Sequence, residues 1–228
     1  MIVRMVFIQK KKDLSIEEFR NHWRMIHAPI AATIPRMRSY IQYDLVDSGD
    51  GAKTYPRSAL AVDGIATLAF DDMQSIARGF TPEIIHALVE DEGKFIGAIE
   101  LLTTVPHTSI PLTIDAPLIR QITLLKRRAN IDAEEFQHRW WGGYSKFARS
   151  MPGIHGLTQN VVTDHGLGRE KADRYDEAPV DGVEEICFRD LQSLEAAFAS
   201  PAAQELKKYA ETFIGESTSF IVESHRIV

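Results

Sequence analysis

Ser15-Ile16-Glu17-Glu18-Phe19-Arg20-Asn21-His22-Trp23 recurs 117 residues later as Asp132-Ala133-Glu134-Glu135-Phe136-Gln137-His138-Arg139-Trp140. Working outward from this stretch, Asp63-Gly64, Phe70 and Asp72-Met73-Gln74-Ser75 return as Asp181-Gly182, Phe188 and Asp190-Leu191-Gln192-Ser193, now shifted by 118. Phe95-Ile96-Gly97 and His107 return as Phe213-Ile214-Gly215 and His225. Two copies in register along the chain describe a duplicated module of about 110 residues, an ordinary domain size. The expected division is a first module over 1–107, a linker over 108–117 and a second module over 118–228.

Each copy has the same order of elements. Residues 2–9 are an apolar, β-branched run, the pattern of a strand. Ser15 and Glu18 make a capping box: the hydroxyl serves a free amide at the helix start and the carboxylate reaches back. Ile16, Phe19, Trp23, Ile26 and Ile30 then recur at helical spacing. Ala28-Pro29 should break or kink that helix, because the residue before a proline avoids α geometry. Strands follow over about 37–47 and 62–70. A helix opens at Asp71/Asp72 and restarts at Thr81-Pro82, and a last strand covers about 98–107. The order β-α-β-β-α-β fits a ferredoxin-like module, and the fold class is α+β.

One such module covers a single face of its sheet with helices. The first strands carry apolar residues at both parities, so both faces should be buried. The two bare faces then meet, and the antiparallel sheets pair into a pseudo-symmetric barrel with helices outside. Arg4, Val6 and Ile8 align with Gln121, Thr123 and Leu125, a mixed polar and apolar set that we assign to the barrel interior. An interior carrying such groups implies a central cavity.

Bulk composition narrows the function classes. The 228 residues are 44% hydrophobic and 25% charged, with a net charge of −6. A nucleic-acid surface would need clustered Lys and Arg, and Lys10-Lys11-Lys12 and Lys126-Arg127-Arg128 fit solvated turns between strand and helix instead. Cys187 is the single cysteine, a small buried side chain in an apolar strand, which excludes an internal disulfide and fits a reducing compartment. The N-terminal run is too short for a signal segment or a bilayer span, so a cytoplasmic protein without membrane contact is expected.

The helix from Glu17-Glu18-Phe19 to His27-Ala28-Pro29, followed by Pro35 and a strand bearing Tyr40, resembles the EthD-type dimeric α+β barrel proteins. Asp63-Gly64, Phe70, Phe80 with Thr81-Pro82, and a closing strand ending at His107 extend the resemblance over the whole chain, once per copy. Resemblance implies two ferredoxin-like modules forming one barrel, here within one chain. It also implies a place in ether or aromatic catabolism, either as a cofactor-free isomerase, cyclase or lyase, as an oxygenase, or as a helper of an oxidative system. The fold does not choose among these.

Differences between the copies single out candidates. His27 aligns with Tyr144, Pro29 with Lys146 and Tyr40 with Leu157, and Trp140-Trp141-Gly142-Gly143 should break the second helix. His27 is then either an acid–base group near a barrel mouth or a helix-end histidine bonding a carbonyl. Tyr40 either donates to a developing oxyanion or packs, with Tyr43 as the substitute if strand parity reverses. Arg4 would bind an anionic group or an internal carboxylate. Phe70 would be core or a substrate wall. His107, retained as His225, would line a pocket or share a packing role.

No cofactor or metal is expected. His22 and His27 are five residues apart, which on an α-helix places them on different sides, and no other ligand spacing is present. The expected partner is a small, mostly apolar carbonyl, phenolic or lactone-like compound. A non-catalytic binder and a haem protein are the alternatives. A homodimer of fused modules, through exposed strand edges or helices, is a further expectation. Long loops at 48–61 and 165–179, with Tyr55-Pro56 and Tyr175 as anchors, suit a lid or an interface.

Overall fold

The computed structural model describes residues 1–47, 62–114, 118–165 and 180–228. The loop anchors Tyr55, Pro56 and Tyr175 lie outside them. The first half runs β1 (Ile2–Lys10), α1 (Ile16–His22), a π-helical turn (Trp23–His27), α2 (Ala28–Ala31), β2 (Ser39–Asp47), β3 (Gly64–Phe70), α3 (Met73–Gly79), α4 (Pro82–Phe95) and β4 (Ile96–Ile110). The second half runs β5 (Ile119–Arg127), α5 (Ala133–Arg139), a second π turn (Trp140–Tyr144), α6 (Ser145–Arg149), β6 (Ile154–His165), β7 (Gly182–Phe188), α7 (Leu191–Phe198), α8 (Pro201–Ala210) and β8 (Ile214–Arg226).

The local signals act as the sequence requires. Ser15 Oγ accepts from the Glu18 amide at 3.1 Å, and the Glu18 carboxylate accepts from the Ser15 amide at 2.8 Å, so the capping box is complete. Asp72 and Asp190 cap α3 and α7, each carboxylate accepting from a backbone N–H at 2.7 Å, that of Ser75 or Ser193. Thr81 caps α4 with Pro82 inside its first turn, where the missing N–H costs nothing.

The eight described strands form one closed antiparallel barrel in the order β1-β3-β2-β8-β5-β7-β6-β4. Closure comes from the last strand of each half. β4 runs to Ile110, beyond the end expected at His107, and pairs with β6, while β8 pairs with β2. Every strand therefore has two neighbours. This corrects the expectation of self-association through strand edges: closure leaves no edge among the described strands.

The barrel interior is occupied by apolar side chains from both halves, including Val3, Met5, Phe7, Ile65, Ile122, Leu124, Val183 and Phe220. This overturns the parity assigned to β1. Arg4, Val6 and Ile8 face the helices, and Val3, Met5 and Phe7 face inward. Gln121, aligned with Arg4, shares its face of β5 with Leu125, which packs in the helix layer of the second half. Two further apolar clusters lie between sheet and helices, one per half.

Neither half breaks its first long helix. Each widens it by a π turn and continues, so Pro29 does not stop the first, nor Gly142-Gly143 the second. Pro29 is not the common cause, because Lys146 stands at the equivalent position. Both turns share a tryptophan over a glycine and a glutamine from the neighbouring strand. Gln42 Nε2 donates to the Trp23 carbonyl at 3.1 Å, and Gln159 Nε2 donates to the Trp140 carbonyl at 2.8 Å. A Cβ on Gly64 would lie 2.7 Å from the Trp23 ring, and one on Gly182 would lie 2.5 Å from the Trp140 ring. The repeated Asp-Gly is thereby explained: glycine admits the indole, and the aspartate accepts the Lys10 or Arg127 backbone N–H. Among the described residues no helix is long and apolar enough to cross a membrane.

Candidate functional site

A pocket of about 90 Å³, room for a few waters or a small organic molecule, lies between the outer face of the first-half sheet and its helices. β1 supplies Arg4, Val6 and Ile8, β3 supplies Ala66 and Leu68, and β2 supplies Tyr40. Trp23 and His27 come from the π turn, while Leu88 and Glu92 come from α4. Apolar side chains pack the barrel interior where a central cavity was expected, which corrects that expectation: this pocket lies on the other face of the sheet, under the helices of one half. It still gathers His27, Tyr40 and Arg4, because register places Arg4, Leu68 and Tyr40 on one rung across β1, β3 and β2.

His27 is buried and bonded. Its Nδ1 lies 3.1 Å from Asp91 Oδ2 on α4, and its ring packs on Phe95 at 5.2 Å. Burial lowers its pKa below the ordinary histidine value, outweighing the Glu92 charge and the Asp91 bond, which raise it. Neutral imidazole facing an ionised carboxylate carries its proton on Nδ1, which leaves the Nε2 lone pair unprotonated. Burial also pushes Asp91 upward, but hydrogen bonds from His22 and His27 outweigh it and hold the carboxyl below its usual range.

Asp91 also binds His22, whose Nε2 is 3.0 Å from Oδ1. The five-residue separation therefore does not part the two histidines. A π turn closes i→i+5 hydrogen bonds, here Ala28 N–H to the Trp23 carbonyl, so one turn spans five residues and both rings meet one carboxylate. Sequence reasoning missed Asp91, Glu92 and His22's part. Asp91 lies in Glu90-Asp91-Glu92, which has the look of a solvated helix face, and only the α4 stripe through Leu88, Asp91 and Phe95 marks it as buried.

Tyr40 is buried, with its hydroxyl accepting from Gln42 Nε2 at 2.8 Å. Burial pushes its pKa up to about 12, with the Gln42 and Trp23 bonds acting the other way, so the phenol stays protonated at neutral pH. The two residues after β8 clamp its backbone: Ile227 N–H donates to the Tyr40 carbonyl at 2.8 Å, and Tyr40 N–H donates to the Val228 carbonyl at 3.2 Å. Arg4 reaches Phe80, its guanidinium 5.2 Å from the ring centre.

The other sequence candidates fall elsewhere. Tyr43 lies in the barrel-interior cluster, on the opposite face of β2 from Tyr40, so it does not substitute for it. Phe70 is fully buried against Phe80 and lies outside the pocket lining. His107 is carried by β4 into the second half, where it stacks on Trp141 at 4.4 Å. His225 crosses the other way, with its Nε2 3.1 Å from Asp44. The retained histidines thus mark the strand crossings and make different contacts. Cys187 is buried, with burial raising its thiol pKa to about 12. No group of three or more His, Cys, Asp and Glu suited to a metal is present among the described residues.

The second half fills the corresponding volume differently. Tyr144, aligned with His27, donates to Glu184 at 2.8 Å, and Trp140 Nε1 donates to the same carboxylate at 3.3 Å. Glu184 stands where the first half has Ala66, and Tyr209 where it has Asp91.

Among solved structures, the fold is similar to an anthrone oxidase-like protein, with 14% identity, 99% of this chain and 92% of the other covered, and a TM-score of 0.65. It is also similar to a putative monooxygenase from Lactobacillus acidophilus NCFM (10% identity, 100% and 94% covered, TM-score 0.59). A putative monooxygenase from Fusobacterium nucleatum gives 6% identity, 98% and 91% covered, and a TM-score of 0.61. Likeness at these identities is one of fold. No curated protein matches the sequence. The EthD domain model matches residues 11–98 and again residues 128–217, so this chain belongs to the EthD domain family as a two-copy member.

Proposed function

We propose that the protein is a cofactor-independent enzyme acting on a small, mostly apolar carbonyl, phenolic or lactone-like compound in the first-half pocket. The observation that carries this reading is His27, a buried neutral imidazole facing an apolar cavity with Nδ1 anchored on Asp91. His27 Nε2 takes a proton from the bound compound and returns it at another position. Tyr40, protonated and supported by Gln42, donates to the oxygen on which charge develops. Return of the proton to a different carbon is isomerisation; attack of the carbanion on a second carbonyl of the same molecule, with the proton returned to the alkoxide formed, is cyclisation; and cleavage of the C–O bond, with the proton returned to the departing oxygen, is dehydration.

Purified wild type, His27→Ala and Tyr40→Phe, assayed on a panel of such compounds, test the reading. A positioned acid–base group contributes about 10²–10⁴-fold, so His27→Ala should lose at least about 10²-fold in turnover. Equal turnover by the wild type and His27→Ala would reject the base. Ligand binding that survives His27→Ala, with no turnover by the wild type, would favour a binding or accessory role.

A further inference from the structure

Asp91 is shared. Its Oδ2 meets His27 Nδ1 at 3.1 Å and its Oδ1 meets His22 Nε2 at 3.0 Å, while Lys94 Nζ approaches Oδ1 at 3.5 Å. The three side chains differ in access: 2% exposed for Asp91, 8% for His27 and 21% for His22. Phe95 supports both rings, stacking on His22 at 4.7 Å and packing on His27 at 5.2 Å.

The fold does not need this cluster. The second half builds the same π turn, with the same tryptophan, glycine and glutamine, over Arg139, Tyr144 and Tyr209 at the positions of His22, His27 and Asp91. A cluster confined to the half that holds the pocket belongs to what the pocket does.

We propose that His22 is a positioning residue that sets the proton affinity of His27 through their shared carboxylate. This rests on His27 being the acid–base group of the site. His22 is the more exposed imidazole and lies outside the pocket lining. Once charged, it satisfies one oxygen of Asp91 and repels a second positive charge on His27. The pair therefore carries one proton more readily than two, and their titrations are coupled. His22 charge does act to lower the His27 pKa, in the same direction as burial. The other charged or polar groups facing His27 are Glu92 and Asp91 from α4, with Arg4 from β1 and Tyr40 from β2 around the same pocket. Glu92 opposes the effect. The consequence is a base that stays unprotonated, and so competent, into mildly acidic conditions.

The test needs no substrate. The imidazole nitrogens of His27 are followed by NMR across pH in the full chain as wild type, His22→Gln and His22→Lys. Glutamine keeps a donor for Asp91 without charge, and lysine supplies a permanent charge. Coulomb repulsion over roughly 8 Å at an effective dielectric near 20 corresponds to about 1.5 pH units. The expected result is a His27 pKa about 1.5 units higher in His22→Gln than in His22→Lys, with the wild type between them or near the lysine variant. Equal values, or shifts of the same sign in both variants, would show that His22 only packs, and would overturn the proposal. That outcome is separable from failure of His27→Ala to lose turnover, which would reject the base itself.

Discussion

Replacing Glu184 by glutamine should stabilise the protein at alkaline pH and do much less at pH 5. Glu184 is fully buried, and burial raises its pKa from 4.5 to about 7 despite hydrogen bonds from Tyr144 and Trp140 that favour the charged form. A pKa raised in the folded state means that the native protein holds a proton which the unfolded chain releases. The associated stability is fully present below pH 4.5 and is lost as pH rises through about 7. Moving a carboxyl over that interval corresponds to about 3 kcal/mol, less than about 1 kcal/mol of it realised at pH 5 and nearly all of it by pH 8. Glutamine has no such dependence. The stability difference between Glu184→Gln and wild type should therefore swing by about 2 kcal/mol in favour of the variant from pH 5 to pH 8. In thermal unfolding that is roughly 4–8 °C of relative Tm for a chain of this size. Lost or mismatched hydrogen bonds in the variant add a constant offset, so the slope is the test. Parallel stability curves for the two proteins would refute a buried carboxyl that ionises near neutrality.

His27 carries the opposite linkage. Its folded pKa lies below the unfolded value of 6.5, so its contribution is fully present above that value and lost as pH falls through the folded pKa; urea titrations should show the advantage of wild type over His27→Asn shrinking from pH 7 to pH 5. Gly64→Ala places a methyl 2.7 Å from the rigid Trp23 ring, and should cost roughly 1–3 kcal/mol and perturb the π turn; unchanged Tm would contradict that packing. Ile227→Pro removes the 2.8 Å bond to the Tyr40 carbonyl and should cost about 1 kcal/mol or more beyond Ile227→Ala by the same assay. Leu88→Trp should fill the pocket and abolish binding of any compound the wild type retains, read by calorimetry, with the fold intact by circular dichroism.

The duplication made the fold legible. Ser15 and Glu18, Asp72 and Thr81-Pro82 set the helix starts, and the repeated order of elements required two sheets that meet. Which face of β1 met the other half was not legible, because Val3, Met5 and Phe7 bury in the barrel while Val6 and Ile8 bury under helices. Two buried faces give no alternation to read. Arg4 drew the wrong inference for the same reason: a polar residue marks a pocket wall, and the pocket was on the helix side. His27 and Tyr40 stood out because their aligned positions hold Tyr144 and Leu157. Asp91 did not, since it lies inside an acidic run and its partners are set by a π turn. Helical periodicity assumes that a turn keeps its usual length, and the i→i+5 turn that joins His22 to His27 breaks that assumption.

The most direct measurement is a crystal structure of the wild type soaked with the member of the phenol and lactone panel that binds it best. The account predicts that the compound lies between the first-half helices and sheet, with an oxygen within about 3 Å of the Tyr40 hydroxyl and the atom that gives up its proton within about 3.5 Å of His27 Nε2. A compound seated among Met5, Phe7 and Leu124 inside the barrel, or against Tyr144 and Glu184 in the second half, would contradict it.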